Sequence, residues 1–570
     1  MFHFSRSQSH EDGRRTSEGI HAWLVGADIG CLAAAVHLIQ DAKVPGPQIH
    51  ILRNSASQSH ILEGFPINRA LHSETESITK EDRLPSRRIL SQNYVCTNDL
   101  LSRIPSLDNS TRTIQEELVE LENEKNLSKD YQTRVIANED HTMDILDTKR
   151  LDLNLGDRVR IKKMMLASKG GLMKTRIMDI FNEEFFHGKF WSMWATKCVP
   201  VFFPFPIFHA KKLSSCRFAF QPWHNAEEFR RHLRYIHDFA NLHTLSPIDC
   251  TPYELFNSII IPVTSYLQAQ AVDFKHNVTV LDVVMDSESD PTLVSGLKVQ
   301  QSGTVTVISI SPKDILIITL GSIYAGSTLG TNWSPPAPVP EVEELTLDDS
   351  WDLWFKLSRK HPKFGDPSRF CGRIAESTMA CFLVTLNDWD SFERFAALVQ
   401  SPLNTSTLLS FKDSNWRLSL NVPRQPHLAG QSEDTQLIWG YALSPSREGN
   451  FIHKPLSSCT GEEVLMEVLQ QLQLPLDPIL EHSITVTSLL PLATAQYLTR
   501  DKDDRPNTVP DNVHNMALIG QFVEIPQDTV FSMEYTIRGA QTAVYHLMGL
   551  EEQKLKAHKN YWDSFWTILL

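Results

Sequence analysis

Several signatures of well-known protein classes are missing from this sequence. Its eight cysteines form no CxxC pair, which argues against a zinc site and against a dithiol redox centre. Their spacing is unlike a disulfide framework, so a reducing compartment is expected. The most apolar run, residues 199–208, has three prolines in ten residues and is too short and interrupted to span a bilayer. These absences predict a soluble cytoplasmic protein without a metal site.

Positively charged residues are fewer than negatively charged ones. The chain has 54 Lys and Arg against 68 Asp and Glu, a net charge of -14, which argues against broad binding of nucleic acid. Hydrophobic residues make up 41% and charged residues 21%, as in ordinary globular proteins. A chain of 570 residues is expected to form about two to four lobes. Residues 1–19 are polar without the apolar core of a secretory signal, and they predict a disordered tail.

Order is predicted to begin at residue 20 with a βαβ unit. Residues 20–26 form a short apolar run that ends in glycine and predict a buried strand. Apolar residues at helical spacing follow in 28–42, and residues 48–53 predict a second strand. Strand, tight turn, helix and strand within about thirty residues are typical of the start of a nucleotide-binding fold. An α/β core without a ligand is the alternative.

Further strand patterns recur along the chain. Residues 276–286 and 304–310 alternate, residues 315–322 and 516–522 are apolar runs containing glycine, and residues 530–547 predict a helix. The sequence therefore predicts an α/β fold with a discontinuous, doubly wound, Rossmann-like dinucleotide-binding domain, substrate-binding insertions and a mostly helical C-terminal region. The predicted divisions are a tail at 1–19, the first part of the dinucleotide-binding domain at 20–110, a helical substrate-side region at 111–275, a return to the dinucleotide-binding domain at 276–332, a substrate-binding domain at 333–510, a closing strand and helix at 511–550, and a tail at 551–570.

Longer blocks resemble one known family. They are GCLAAAVHLIQDAKVPGPQIHIL, RIPSLD, FAFQPWHNAEEFRR, TLGSIYAGSTLG, FKDSNWRLSL, QPHLAGQSEDTQLIWGYAL, KPLSSCTGEE and IGQFVEIPQDTVFSMEYTIRGAQTAVY, in family order. From about residue 20 to 550 the chain resembles the oleate hydratases, also called myosin-cross-reactive antigen proteins. The resemblance implies an FAD-dependent fold, a homodimer and a long pocket for an unsaturated fatty acid. It also implies addition of water to a cis double bond, which gives a hydroxy fatty acid with no net redox change.

The phosphate-binding turn departs from the family's Gly-x-Gly pattern, since it reads Gly26-Ala27-Asp28. A second glycine lets the backbone approach the pyrophosphate, whereas Asp28 adds bulk and a charge whose repulsion at about 4 Å is roughly 4 kcal/mol. A shifted turn that uses Gly30 is the alternative. Arg53 stands at the end of the second strand, where the family has an acid for the adenosine ribose. Arg53 is interpreted as a solvated cation, with neutralisation of Asp28 or binding of a different anion as alternatives.

The other cofactor positions implied by the resemblance fall into two groups. In the N-terminal group, Gly64 and Arg88 match the family, but Ser59 and His60 replace its Gly-Gly pair. The C-terminal group matches throughout and consists of Gly321, Ser322, Gly520, Gln521, Glu524 and Arg538. FAD is thus the cofactor that the resemblance implies, with the departures concentrated in the first hundred residues.

The catalytic positions implied by the resemblance are altered as well. Ile89 stands where the family has a water-activating Glu, and a hydrocarbon cannot take a proton. His232 replaces the presumed proton-donating tyrosine and could act as an acid near neutral pH, while Tyr235 lies about one helical turn further on. A helix-surface or packing role is the alternative for both. Arg424 and His427 are retained and are predicted to meet the fatty acid's carboxylate.

Three functions remain open at this point. The favoured one is hydration of an unsaturated fatty acid. The second is a catalytically impaired, lipid-binding homologue, and the third is a hydratase or isomerase retuned to another alkene. Residues 198–217 form an insert that lacks helical and strand periodicity. The insert is interpreted as a translated retained intron, with an apolar lid or a membrane-contact loop as the alternative.

Overall fold

The computed structural model describes residues 15–551 apart from 27, 55–94, 108–110, 126–130, 140–141, 147–152, 195–218, 236–255, 341–344, 401–405, 424, 426–431, 433, 527 and 531. Order begins earlier than the predicted residue 20, because Arg15 is bound to the rest of the fold. Its guanidinium donates to the carbonyls of Pro312, Lys313 and His514 at 3.1, 2.8 and 2.9 Å. The predicted insert at 198–217 lies outside the described residues, as does all but the first residue of the predicted C-terminal tail.

The strands and helices of the described residues are as follows. The strands are β1 Ala22–Val25, β2 Ile49–Arg53, β3 Tyr131–Glu139, β4 Thr142–Leu146, β5 Asp273–His276, β6 Val278–Met285, β7 Val294–Gln301, β8 Thr304–Ser309, β9 Ile315–Thr319, β10 Thr328–Gly330, β11 Met379–Leu386, β12 Ser406–Phe411, β13 Leu418–Val422, β14 Gln436–Ala442, β15 Ser483–Leu490 and β16 Met516–Ile519. The α-helices are α1 Ile29–Gln40, α2 Val95–Leu101, α3 Ile114–Lys125, α4 Leu155–Leu166, α5 Lys169–Lys174, α6 Glu183–His187, α7 Lys189–Trp194, α8 Ala226–Tyr235, α9 Ile261–Ala269, α10 Asp349–Lys360, α11 Ser368–Cys371, α12 Ile374–Ser377, α13 Trp389–Leu398, α14 Gly461–Gln471 and α15 Met533–Met548.

A five-stranded parallel sheet forms the centre of the fold. Its strand order is β16-β9-β1-β2-β5, and Leu24 of β1 is in register with Ile51 of β2 and with Ile317 of β9. β9 and β16 are buried along nearly their whole length, which explains why their sequences are continuously apolar. α1 connects β1 to β2 and packs against α15. The predicted doubly wound, Rossmann-like fold is confirmed.

A three-stranded antiparallel sheet, β6-β7-β8, lies between β5 and β9 in the chain. β6 and β8 coincide with the alternating runs predicted at 276–286 and 304–310, whereas β7 was not predicted. The buried residues of β6 and β7 share a core with one face of β9 and with Trp351 and Trp354 of α10. This core places the start of α10 beside the parallel sheet.

An eight-stranded mixed sheet, in the order β10-β15-β11-β14-β13-β12-β3-β4, forms a second layer. Most of its strands come from the predicted substrate-binding domain, and α13 and α14 pack on it through a separate core. Two edge strands, β3 and β4, come instead from residues 131–146. The region predicted as helical at 111–275 thus also contains a hairpin, which extends the sheet by parallel pairing of β3 with β12.

Two properties of the described residues bear on the predicted cellular setting. Cys31, Cys96, Cys371, Cys381 and Cys459 are buried thiols without disulfide partners. Across the part of the chain that the structure describes, helices are too short or too polar to cross a membrane.

Candidate functional site

A cleft opens at the carboxyl ends of β1, β2 and β9. It has about 610 Å³ of space, part of which is open to solvent. Gly26, Asp28, Arg53 and Gly321 line it, so four predicted cofactor positions meet in one place. Ligands of open α/β sheets bind at this edge, where strand order reverses. The cleft is therefore the candidate dinucleotide site.

Gly26 forms the floor of the cleft just after β1. Its φ angle is +132°, and a Cβ atom there would lie 2.8 Å from the Thr319 hydroxyl oxygen. Its amide donates to the carbonyl of Leu52 at 3.1 Å. Only glycine fits this conformation and this space without movement of β9. The turn thus keeps the backbone low beneath the cleft, as a phosphate-binding turn requires.

Asp28 caps α1 rather than pointing freely into the cleft. Its Oδ1 accepts a hydrogen bond from the amide of Cys31 and another from the hydroxyl of Thr319, both at 3.0 Å. Burial raises the pKa of the Asp28 carboxyl, and these hydrogen bonds only partly offset that effect. A helix N-terminus is also where an anionic phosphate binds most favourably. Asp28 therefore occupies the acceptor position that a dinucleotide's pyrophosphate would use.

Gly30 does not belong to the turn. It lies inside α1 and is buried, and an added Cβ would be 2.7 Å from the Thr536 methyl of α15. The absence of a side chain at Gly30 allows α1 and α15 to approach closely. The shifted phosphate turn considered from the sequence is not formed.

Arg53 turns from the end of β2 towards β5. Its Nη2 lies 3.2 Å from His276 Nε2, and its guanidinium lies 5.1 Å from the centre of the Phe274 ring. Burial and the Arg53 charge lower the pKa of His276. A neutral imidazole can accept a hydrogen bond from the guanidinium. Arg53 is thus fixed by aromatic neighbours rather than fully solvated.

A carboxylate reaches the end of β2 from a different element. Asn54 follows Arg53 in the chain, and its amide donates to Asp349 Oδ2 at 2.5 Å and to the Thr279 hydroxyl at 3.0 Å. Asp349 is the first residue of α10 and lines the cleft. Sequence reasoning missed this contact. The Asp-Asp pair at 348–349 signals a helix start, but nothing in the sequence joins it to a residue 295 positions away.

The C-terminal residues that were predicted to bind the cofactor are held by contacts within the protein. Gly321 has a φ angle of +64°, and a Cβ there would meet the Phe522 ring at 2.7 Å. The Ser322 carbonyl accepts a hydrogen bond from the Trp351 indole at 2.9 Å. Gly520 has a φ angle of +109°, and the Gln521 amide donates to the Thr536 hydroxyl at 2.8 Å. Of these four, Gly321 lines the cleft, and the contacts of the others hold the turns after β9 and β16.

Glu524 belongs to a cluster that we call the buried charge network. Arg231 and Lys169 both pair with its carboxylate, and the Lys169 contact is 2.9 Å. On the other side of Arg231, Glu228 accepts from Arg500 at 2.6 Å and from Arg505 at 3.0 Å. The members are Lys169, Glu227, Glu228, Arg230, Arg231, Arg500, Arg505 and Glu524. Although burial opposes ionisation, the arginine charges hold the pKa of Glu524 well below its usual range.

The buried charge network fixes α8 against the loops that follow β15 and β16. It commits Glu524 to ion pairs within the protein. The EEFRR run of α8 gave a local signal, since Glu and Arg at three- and four-residue spacing pair on a helix. Nothing in the sequence indicated that Arg500 and Arg505 would pair with this helix. Arg538, in contrast, lies in a separate ion pair with Asp528 at 3.1 Å.

His232 lies on α8, and its side chain is fully buried. Its Nδ1 is 2.8 Å from the carbonyl oxygen of Glu228, and its Nε2 is 3.1 Å from the Tyr497 hydroxyl. Because a carbonyl oxygen only accepts, Nδ1 carries the ring proton and Nε2 accepts from the phenol. Burial lowers the pKa of His232 to about 4. In this arrangement His232 is a neutral acceptor, and its predicted role as an acid requires the bond to Tyr497 to break.

Several predicted site residues lie outside the described residues. They are Gly64, Arg88, Ser59, His60, Ile89, Arg424 and His427. Tyr235 ends α8, but its side chain is likewise outside the described set. In the described part of the chain, His, Cys, Asp and Glu side chains form no group of three that could hold a metal.

Comparison with known proteins identifies the family. Residues 19–545 match the model of the MCRA family. The chain is 30% identical to an oleate hydratase from Streptococcus pyogenes serotype M49 (strain NZ131) over 94% of this chain and 87% of that protein. It is 27% identical to a linoleate hydratase from Lactiplantibacillus plantarum over 95% of both chains. Among solved structures, an oxidoreductase from Methanosarcina mazei matches 92% of this chain and 99% of its own at 10% identity, with a TM-score of 0.47. The resemblance drawn from the sequence blocks is confirmed, and the chain belongs to the MCRA family.

Proposed function

We propose that this protein is an FAD-binding hydratase that adds water to a cis double bond of an unsaturated fatty acid. The observation that carries the proposal is the family match over residues 19–545. It is supported by two relatives named as oleate and linoleate hydratases over nearly the whole chain. The product is a hydroxy fatty acid.

The cleft fits a dinucleotide in its position at the carboxyl ends of the parallel strands and in the absence of a side chain at Gly26. The residues that would hold FAD are Gly26 and the N-terminus of α1 at the pyrophosphate, with Asn54 and Asp349 at the adenosine ribose. Asp28 is the one element of this set that opposes binding, because its carboxylate stands at the same helix N-terminus. When bound, the flavin supplies structural and electrostatic support, since hydration involves no net redox change.

Hydration needs an acid for one alkene carbon and a base for the water that attacks the other. The oxygen of water bonds to one carbon, and the second carbon takes a proton from the acid. The base takes a proton from the attacking water. We assign the acid to the region of α8 around His232 and Tyr235. We assign recognition of the substrate carboxylate to Arg424 and His427, whose charges suit a fatty acid head group. That contact would fix which double bond reaches the acid.

A second function is favoured by one specific observation. His232 is neutral, fully buried and hydrogen-bonded at both ring nitrogens, and such a group donates no proton to a substrate. A lipid-binding homologue without hydratase activity would have this arrangement. A hydratase or isomerase for another alkene is the third candidate, and it would need the same group to be exposed.

The test is to incubate purified protein, with and without added FAD, with oleic and linoleic acids in water labelled with oxygen-18. A hydratase gives a hydroxy acid whose new oxygen carries the label. Saturable binding of oleic acid without product supports the lipid-binding homologue. A flavin absorption band that appears on adding FAD reports occupancy of the cleft separately from turnover. Failure of both binding and turnover with these two acids would contradict the first two candidates.

We further propose that the protein is a homodimer of the cytoplasm. The support is the resemblance of the whole chain to the family, together with the buried thiols of Cys31, Cys96, Cys371 and Cys459, which form no disulfide and suit a reducing compartment. Sedimentation equilibrium of the purified protein tests the dimer. A mass of one chain at micromolar concentration would contradict it.

A further inference from the structure

Arg417, at the end of the turn between β12 and β13, is held in an unfavourable conformation and environment. Its φ angle is +54°, in the left-handed region that glycine and asparagine adopt more readily than arginine. Its side chain is half-buried. In the part of the chain that the structure describes, its guanidinium has neither a hydrogen bond nor an ion pair. The fold therefore carries a strained backbone and a partly desolvated charge here without a contact that offsets them.

Arg447, in the loop that follows β14, adds a second positive charge at this place. Burial, and after it the charge of Arg447, lowers the pKa of Arg417 to about 10, so Arg417 is still a cation at neutral pH. Arg447 itself is exposed and forms no ion pair with the described residues. A charge that is partly removed from water without a counter-ion is unfavourable, and a like charge beside it adds repulsion.

Hydrogen bonds fix the backbones that carry the two arginines side by side. The Trp416 indole donates to the carbonyl of Arg447 at 2.8 Å, and the Ser444 amide donates to the carbonyl of Trp416 at 3.0 Å. The Asn415 amide donates to the side-chain oxygen of Asn450 at 2.8 Å. The turn before β13 and the loop after β14 are therefore one rigid unit, and the two positive charges belong to it.

Acidic residues that reach this unit do not neutralise the arginines. The carboxylate of Glu467 accepts from three consecutive backbone amides, at 450–452. The carboxylate of Asp413 accepts from a backbone amide of β3 at 3.0 Å. Glu448 follows Arg447 in the chain, yet the described structure has no ion pair between them. The counter-ion of the arginine pair therefore has to come from outside these residues.

We propose that Arg417 and Arg447 form a binding site for a phosphate group. Strained and unpaired groups persist where function requires them, and a bound anion would compensate both arginines. A guanidinium binds two oxygens of a phosphate side by side. A phosphate dianion matches two positive charges, whereas a carboxylate matches one. The site lies on the mixed sheet and shares no residue with the dinucleotide cleft, so it goes beyond the proposed hydration.

The experiment is isothermal titration calorimetry of the full-length protein with inorganic phosphate, acetate and glycerol 3-phosphate at one ionic strength and neutral pH. Wild type is expected to bind phosphate more tightly than acetate. R417M and R447M keep an apolar side chain and remove one charge each. Each variant is expected to lose about tenfold or more in phosphate affinity, through loss of a charge-assisted contact. Tighter binding of glycerol 3-phosphate than of phosphate would identify an ester as the ligand, and the reverse order would identify free phosphate.

Unfolding in urea without phosphate provides a second measurement. R417M should have a higher midpoint than wild type, because an unpaired half-buried charge and its repulsion from Arg447 are removed. A residue that is kept for binding rather than for folding gives this combination of higher stability and weaker binding. R369M is the matched control, since Arg369 is 57% exposed and pairs with Asp366, and it should bind phosphate like wild type.

Three results would overturn the proposal. The first is wild type that binds phosphate no more tightly than acetate, and the second is variants of the arginine pair that bind phosphate as wild type does. The third is a lower urea midpoint for R417M, because Arg417 would then have a structural contact. Since no fatty acid is present in these measurements, each of the three results leaves the proposed hydration untouched.

Discussion

Replacing Asp28 by asparagine would remove a negative charge from the N-terminus of α1 and keep an oxygen that can cap the helix. The amide oxygen can still accept from Cys31 and Thr319, which now donate to the carboxylate at 3.0 Å. The substitution therefore separates the charge of residue 28 from its role as a helix cap. We expect Asp28→Asn to bind FAD more tightly than wild type.

The size of this gain in FAD affinity depends on whether Asp28 stays ionised or takes up a proton when FAD binds. A phosphate oxygen about 4 Å from an ionised Asp28 would be repelled by roughly 4 kcal/mol at an effective dielectric constant of about 20. The protein can avoid that repulsion by protonating Asp28, and the raised pKa of this buried carboxyl makes protonation cheaper than for an ordinary aspartate. Protonation of Asp28 therefore limits the loss of FAD affinity in wild type. We expect a gain in FAD affinity of about tenfold to a hundredfold at mildly alkaline pH.

The assay is titration of apoprotein with FAD, followed by quenching of flavin fluorescence, across a pH series. Phosphate favours the protonated carboxyl, so wild-type affinity should fall as the pH rises through the pKa of Asp28, whereas the variant should show no such fall. Asp388→Asn is the matched control, because Asp388 also caps a helix, α13, away from the cleft. Equal affinity of wild type and Asp28→Asn at every pH would refute the reasoning.

The same carboxyl predicts the pH dependence of stability without cofactor. Its pKa is raised on folding, so the folded protein holds this proton at a pH where the unfolded chain has lost it. Wild-type stability should therefore fall as the pH rises from about 4, the pKa of an unfolded aspartate, through the raised value. Asp28→Asn should lack this part of the decline. Urea midpoints of the two proteins across that range provide the measurement, and parallel curves would contradict the prediction.

Three further substitutions test other contacts. Asp349→Asn should weaken FAD binding about tenfold or more through loss of a charge-assisted hydrogen bond to the ribose, while the exposed Asp352→Asn should not; equal affinities would exclude the ribose role. Glu228→Gln should lower stability by about 3–5 kcal/mol in urea unfolding, because the buried Arg500 loses the carboxylate it pairs with and Arg505 keeps only the longer pair with Glu524; an unchanged midpoint would contradict this. Tyr497→Phe should cost about 1 kcal/mol by removing its hydrogen bond to His232, and loss of hydration in a variant that remains folded would show that the pair takes part in the reaction.

The parallel sheet could be predicted because its strands carry a local signal. The apolar runs at 315–322 and 516–522 contain β9 and β16. Strands buried on both faces need continuous apolar sequence, which is visible without knowledge of any partner. The hairpin of β3 and β4 could not be predicted in this way. Its strands mix polar and apolar residues, it lies at a sheet edge, and its pairing with β12 joins segments far apart in the chain.

Part of the candidate site was also within reach of the sequence. Gly26, Asp28, Arg53 and Gly321 were expected at the cofactor, and all four line the cleft. The contribution of Asp349 was not foreseen, because comparison of a chain with its family judges each position separately. A contact between α10 and the end of β2 exists only after folding. The directions of the Asp28 and Arg53 side chains depend on Thr319 and Phe274, which are equally distant in the sequence.

The departures from the family at the cofactor cleft have different physical meanings once these contacts are known. Asp28 stabilises α1 as its cap, so it supports the fold while it competes with a phosphate for the same helix N-terminus. Arg53 lines the cleft but its guanidinium contacts Phe274 and His276, and Asp349 places a carboxylate beside Asn54. Loss of a family residue at one position is therefore not loss of the cleft, because Gly26 keeps its floor free of a side chain and Asp349 places a carboxylate at its edge. We therefore expect the affinity of this cleft for a dinucleotide to depend on the protonation of Asp28, which caps α1.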